Sequence, residues 1–151
     1  MIKISEEYLH FAWKYGLFHK DNLEYFNEQI VISDPGEHNH YSGPDFFNAR
    51  IKIGNTAWAG NVEIHVKASD WYRHGHDNDP VYDSIILHVV LENDCDIFRI
   101  NKERIPVLEI KLINKHLDQY HRLILNKSEI HCLDKLKTLN KIFFRDWITK
   151  M

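Results

Sequence analysis

Cysteine is scarce in this chain of 151 residues: only Cys95 and Cys132 occur, far apart in sequence. Two such residues support neither a disulfide framework nor a cysteine zinc site, and they fit a reducing, cytoplasmic setting. No run approaches the roughly 18 apolar residues of a membrane span. A secretory leader is disfavoured because Glu6 and Glu7 fall where its apolar centre would lie. No internal repeat, low-complexity tract or Pro/Gly/Ser linker divides the chain. A strong positive charge is missing too, since the net charge is −3, so nothing in the overall balance advertises a nucleic-acid binder. The charge is unevenly placed: residues 1–110 carry 10 Lys/Arg against 18 Asp/Glu (net −8), and residues 111–151 carry 9 against 4 (net +5). The basic C-terminal part is either a solvated helical face or a surface for an acidic partner.

Histidine, in contrast, is abundant, at 11 of 151. His38 and His40, and His74 and His76, form close pairs, and His65 and His88 lie in apolar stretches. Clustered imidazoles suggest metal or proton chemistry.

Helical spacing of Leu9, Ala12 and Trp13 after Ser5 predicts an amphipathic helix over Glu6–Lys14, closed by Gly16. Glu28–Ser33 reads as a short strand, and DPGEHNHYSGPD as a loop. Phe47–Ile53 and Thr56–Lys67 alternate apolar and polar residues about Gly54-Asn55, a two-residue hairpin signal. A short helix is expected within Ser69–Asp83, and a central strand, covered on both faces, over Ile85–Leu91. Asp96–Ile100 and Ile105–Ile110 read as further short strands. From Lys111 the period becomes helical, with one helix face marked by Leu112–Ile124 and another by Leu133–Trp147. Together these predict a core over 1–110 and a helical C-terminal extension of the same domain over 111–151. The helical pattern still runs at Met151, as if the natural chain were longer.

Glu63, His65 and Lys67 share one face of the second hairpin arm. Because the arms are antiparallel, Asp45 comes opposite about residue 64, beside Glu63 and His65. Two adjacent carboxylates suit a hard divalent cation such as magnesium, and a basic group one pleat along can activate the attacking water. Strict alternation would turn Asp45 away from Glu63. The site therefore requires Pro44-Asp45 to precede regular pairing, or a bulge, for which Gly60 is the candidate.

Pro44-Asp45, a hairpin spacer and Glu63-Ile64-His65 resemble the PD-(D/E)XK phosphodiesterase superfamily, with His65 where lysine is usual and Lys67 as a possible substitute on the same face. The segments GPDF, GNVEIH, SDW, HxH and LHVV are also similar to those of a bacterial family of uncharacterised proteins whose members are longer. The resemblance implies a restriction-endonuclease-like α+β (three-layer α/β) domain with a mixed, mainly antiparallel central sheet flanked by helices. It also implies a Mg2+- or Mn2+-dependent nuclease acting on DNA or another nucleic acid, with Asp45, Glu63 and His65 as metal ligands, and these with Lys67 as catalytic residues. The alternative is a non-catalytic interaction domain that keeps the fold. A small barrel of the cupin kind, with His38, His40 and Glu63 on a metal, conflicts with the helical segments. In the leading reading, the His38/His40 and His74/His76 pairs line the cleft mouth, with metal binding as the other possibility. His88 is a core histidine with a partner, Asn39, Tyr72 and Tyr82 are supporting residues, and Glu7 is a cap-region charge, with a helical carboxylate facing the site as the alternative.

Overall fold

The computed structural model describes residues 4–125, with side chains to residue 122. It divides into two units, residues 1–113 and 114–151. The first is an α+β unit built on one mixed, mainly antiparallel sheet. Helix α1 (Glu6–Tyr15) is followed by strands β1 (Glu24–Tyr25), β2 (Glu28–Asp34), β3 (Glu37–His38), β4 (Phe46–Ile53) and β5 (Thr56–Lys67). After the short helix α2 (Asp70–Arg73) and two 3-10 turns (His76–Asn78, Pro80–Ser84) come β6 (Ile85–Glu92) and β7 (Val107–Glu109). The sheet order is β1-β2-β4-β5-β6-β7, with β3 beside β4. The β5–β6 and β6–β7 pairs are parallel and the rest antiparallel. In the second unit, the described part is helix α3 (Asn114–Leu125). The helix expected over Leu133–Trp147 lies outside the described residues. No described helix is long and apolar enough to cross a membrane.

Local chemistry explains α1. Ser5 Oγ accepts from Tyr8 N at 3.3 Å, Glu6 and Glu7 occupy the positive end of the dipole, and Gly16 closes the helix with φ 63°. Its buried face carries Tyr8, Leu9, Ala12 and Trp13. Leu9 and Trp13 join Phe46, Val62, Ile64, Leu87 and Val89 in one apolar cluster. The opposite face of the sheet carries a second cluster, with Trp71, Val90, Ile97, Ile105 and Val107. Strand β6 is therefore covered on both sides, as its unbroken apolar run foretells.

Asp96–Ile100 does not form the expected strand. It has one isolated bridge, Phe98 to Arg104, around a turn in which Arg99 N donates to Glu103 O at 2.9 Å and Lys102 takes φ 67°. The strand expected from Ile105 shortens to Val107–Glu109, since Pro106 offers no N–H to a ladder.

The hairpin turn falls at Gly54-Asn55 as expected, with Ile53 opposite Thr56. The pairing then changes register: Ala49 faces Gly60, but Phe46 faces Val62. Two residues, Phe47 and Asn48, thus stand against Asn61 alone, which is a β-bulge. Asn48 takes φ 56°, a left-handed conformation that asparagine tolerates, and its N–H donates to Asn61 Oδ1 at 3.2 Å. The bulge sits on β4, not at Gly60. Gly60 meets a different demand: a Cβ there would lie 2.4 Å from Ile86 Cγ2, so glycine permits the close approach of β6.

Candidate metal centre

The β4 bulge reverses parity beyond it and puts Asp45 across from Glu63. Asp45 N donates to Glu63 Oε2 at 3.1 Å, and Ile64 N donates to Asp45 Oδ2 at 2.8 Å. Each carboxylate therefore anchors backbone of the opposite arm. The loop before Asp45 is held by Asn39, whose side-chain amide reaches the carbonyls of Tyr41, Ser42 and Pro44, and whose N–H donates to Asp45 O at 2.8 Å.

Glu63 and His65 face the Trp71 side of the sheet. Both are almost wholly buried, at 4% and 2% exposure. In the parallel β5–β6 ladder Glu63 is level with His88, and His65 Nδ1 lies 2.7 Å from His88 Nε2. His88 is fully buried with a partner, as expected of it.

The chain leaving β5 brings in two more imidazoles. Ser69 N and Oγ both donate to the Asp94 carboxylate, at 2.8 and 2.7 Å. Asp70 accepts from Lys67 N at 3.2 Å and pairs with Arg73 at 2.6 Å. Trp71 is completely buried, and its indole N–H donates to Phe98 O at 3.2 Å. These three residues fix α2, which ends at His74. Gly75 then turns the chain with φ 75°, and His76 begins the next turn. The turn presents both histidines to His65, at ring separations of 4.7 Å for His74 and 5.3 Å for His76. His74 and His76, expected in a loop at the cleft mouth, thus stand beside His65.

Ligand atoms of His65, His74 and His76 all lie within 4.8 Å of one another. His65 Nε2 is 3.0 Å from His74 Nδ1 and 3.6 Å from Glu63 Oε1, which is 3.1 Å from His76 Nε2. These residues could hold a metal. Burial pushes the Glu63 carboxyl up to about 7, and the nearby Asp45 charge adds to this, while His76 pulls the other way. Burial pushes His65 down to about 2 and His88 to about 3, with neighbouring imidazoles adding to both shifts. Both rings are therefore neutral at physiological pH, the form that binds metals.

Asp45, Glu63 and His65 come together, with His74 and His76 around them. Asp45 Oδ2 also meets His10 Nε2 of α1 at 3.2 Å. Burial opposes charging of His10, but the Asp45 hydrogen bond and the Asp45, Glu63 and Glu6 charges outweigh it, so its pKa is raised. Helix α1 thus reaches Asp45 through His10, while Glu7 is exposed. Lys67 is half-exposed, with its ammonium on Glu92 Oε2 at 2.9 Å. His38 and His40 approach each other (4.3 Å between rings) near His10. Tyr82 stacks on His76 at 3.7 Å, and the Tyr72 hydroxyl turns to Asp96 O. A groove of about 770 Å³, lined in part by Lys67, Asp70, Arg73 and His74, adjoins the centre on the His74 side. His10 was not foreseen; its signal is a histidine bordering the apolar face of an amphipathic helix.

The molecule is thus an α+β protein with a histidine-rich, carboxylate-bearing side-chain cluster on its sheet. A family model described as "Protein of unknown function (DUF2851)" matches residues 6–151, and the chain belongs to that family. No curated protein and no solved structure matches it. The segments GPDF, GNVEIH, SDW, HxH and LHVV each contribute to this one place: Asp45, then Glu63 and His65, Asp70 and Trp71, His74 and His76, and His88.

Proposed function

We propose that the protein is a metal-dependent phosphodiesterase acting on nucleic acid. The observation that carries this reading is the reciprocal bonding of Asp45 and Glu63, which stand where the PD-(D/E)XK pattern has its acids, with His65 on the same strand. A divalent ion held by Glu63 and the neighbouring imidazoles would polarise a phosphoryl oxygen and acidify a bound water. Asp45 fixes the loop edge and holds His10 of α1. Lys67 and Arg73 stand along the adjoining groove, each paired with an acid of the same lining, Glu92 and Asp70. Of the two ions expected from the sequence, manganese suits this imidazole-rich set better than magnesium.

The test is incubation of the chain with single- and double-stranded DNA in manganese, magnesium or zinc, beside Glu63→Gln and Asp45→Asn. Cleavage by the parent and its loss in Glu63→Gln are expected; cleavage that persists in Glu63→Ala overturns the reading. The burial of Glu63 and His65 favours one other reading, a non-catalytic interaction domain. It predicts no cleavage of either DNA with any ion.

A further inference from the structure

We propose that His65, His74 and His76, with the Glu63 carboxylate as fourth donor, form a transition-metal site of the zinc class, in which His88 orients His65. This deepens the phosphodiesterase reading by naming the donors and class of the ion at that same site, and the ion's binding can be tested apart from any cleavage.

The spacing is that of ligands around a small ion. Donors of a tetrahedral zinc at its usual bond lengths are about 3.4 Å apart. Here the path from His74 Nδ1 to His65 Nε2, Glu63 Oε1 and His76 Nε2 runs in steps of 3.0, 3.6 and 3.1 Å. His76 is more than nine-tenths buried, and its Nε2 makes no hydrogen bond. It approaches Glu63 Oε1, but not in hydrogen-bond geometry. A buried nitrogen left in that state is costly, and a cation between it and the carboxylate would satisfy both.

One set of tautomers frees His65 for the ion, with the His88 proton on its buried, unpartnered Nδ1. If His65 Nδ1–H donates to His88 Nε2, His65 Nε2 is left with its lone pair facing His74 and Glu63. His74, whose Nδ1–H then donates to His65 Nε2, would carry its proton on Nε2 instead once the ion takes Nδ1, an exchange that solvent can mediate at this exposed ring. His88 then does what outer partners of metal-bound histidines do, fixing the ring and its tautomer. His76 is packed between Tyr82 and Trp71, at ring separations of 3.7 and 5.2 Å. Three imidazoles and one carboxylate favour zinc, cobalt or iron over magnesium and calcium, which prefer oxygen donors.

The test uses the whole chain, stripped with a chelator and titrated with cobalt(II), zinc and magnesium. One equivalent of cobalt giving intense visible bands, displaced by zinc and untouched by millimolar magnesium, is the expected result. His74→Ala changes an exposed side chain, and His76→Gln keeps a polar group. Each should weaken cobalt binding at least tenfold, while the double change His38→Ala/His40→Ala should leave it unaltered. His88→Leu should weaken it about tenfold and shift the bands, and His88→Gln, which can still accept from His65, should restore part of the loss. Absence of the bands, or binding unaltered in His74→Ala and His76→Gln, overturns the proposal. Zinc bound without DNA cleavage would leave this site standing and count against the phosphodiesterase alone.

Discussion

Asp45 Oδ2 receives the Ile64 N–H at 2.8 Å, while Asp45 gives its own N–H to Glu63 Oε2 at 3.1 Å. The two acids, 18 residues apart, lock the end of β4 to β5 where regular pairing has stopped. Removing the Asp45 carboxylate strands the N–H of Ile64, a residue 1% exposed. Asp45→Ala should cost about 1–3 kcal/mol in urea unfolding, the usual penalty for a buried donor left unsatisfied. Asp45→Asn keeps an acceptor oxygen and should lose less than half of that. Equal losses in the two variants would show that the Ile64 bond is not what matters.

The bulge that makes this pairing possible depends on Asn48 at φ 56°. Valine in that conformation is strongly disfavoured. Asn48→Val should therefore lower stability by about 1–3 kcal/mol, and Asn48→Gly should be tolerated. In Asn48→Val the hairpin should return to regular alternation, which turns Asp45 away from Glu63. Amide chemical shifts of Asp45 and Ile64 report this directly, and unchanged shifts would refute it.

Acid should unfold the metal-free protein through His65 and His88. Their folded values, about 2 and about 3, lie below the ordinary 6.5. Between those limits the unfolded chain binds more protons than the folded one, so stability falls as pH falls below about 6.5. Glu63 has the opposite sign. Its raised value of about 7 favours the folded state below 4.5, and this contribution is lost as pH rises through 7. Two histidines outweigh one glutamate, so the melting temperature in chelator should drop by several degrees between pH 6.5 and pH 5. In the double variant His65→Gln/His88→Gln this slope should flatten. A melting temperature that is level or rises on acidification would contradict the assignment of neutral rings.

Much of this arrangement was legible before any coordinates. Helix α1, the Gly54-Asn55 hairpin and the doubly covered β6 follow from caps, alternation and an unbroken apolar run, all local signals. Asp45, Glu63 and His65 could be brought near one another because hairpin pairing is arithmetic. The bulge needed to align them was anticipated, but not its position, because Asn48 in the left-handed region leaves no mark in the hydropathy pattern. His74 and His76 read as loop residues since their approach to His65 depends on α2, which is held by Asp70 and by Asp94, 24 residues further on. His10 joins through helix packing, which no spacing within the chain encodes. Asp96–Ile100 misled because Ile97 serves the second cluster from a turn while Ile100 is exposed.

Gly75 joins these long-range placements to one backbone angle. At φ 75° it reverses the chain between His74 and His76, and a Cβ there would meet nothing within 4 Å. Space does not demand glycine; conformation does. Gly75→Ala should therefore cost about 1–2 kcal/mol, the penalty of a side chain in the left-handed region. Gly75→Asn, which tolerates that region, should cost less. If the turn aims the two imidazoles, the same substitutions should rank identically in cobalt affinity: parent, then Asn, then Ala, with the last weaker by about tenfold for 1.4 kcal/mol of strain relieved by rotating His74 and His76 apart. Valine should be worse than alanine on both scales, because its branched Cβ crowds a left-handed backbone further. Stability and affinity that fail to move together across the four residues would mean that Gly75 serves the chain's folding and has no part in aiming the histidines.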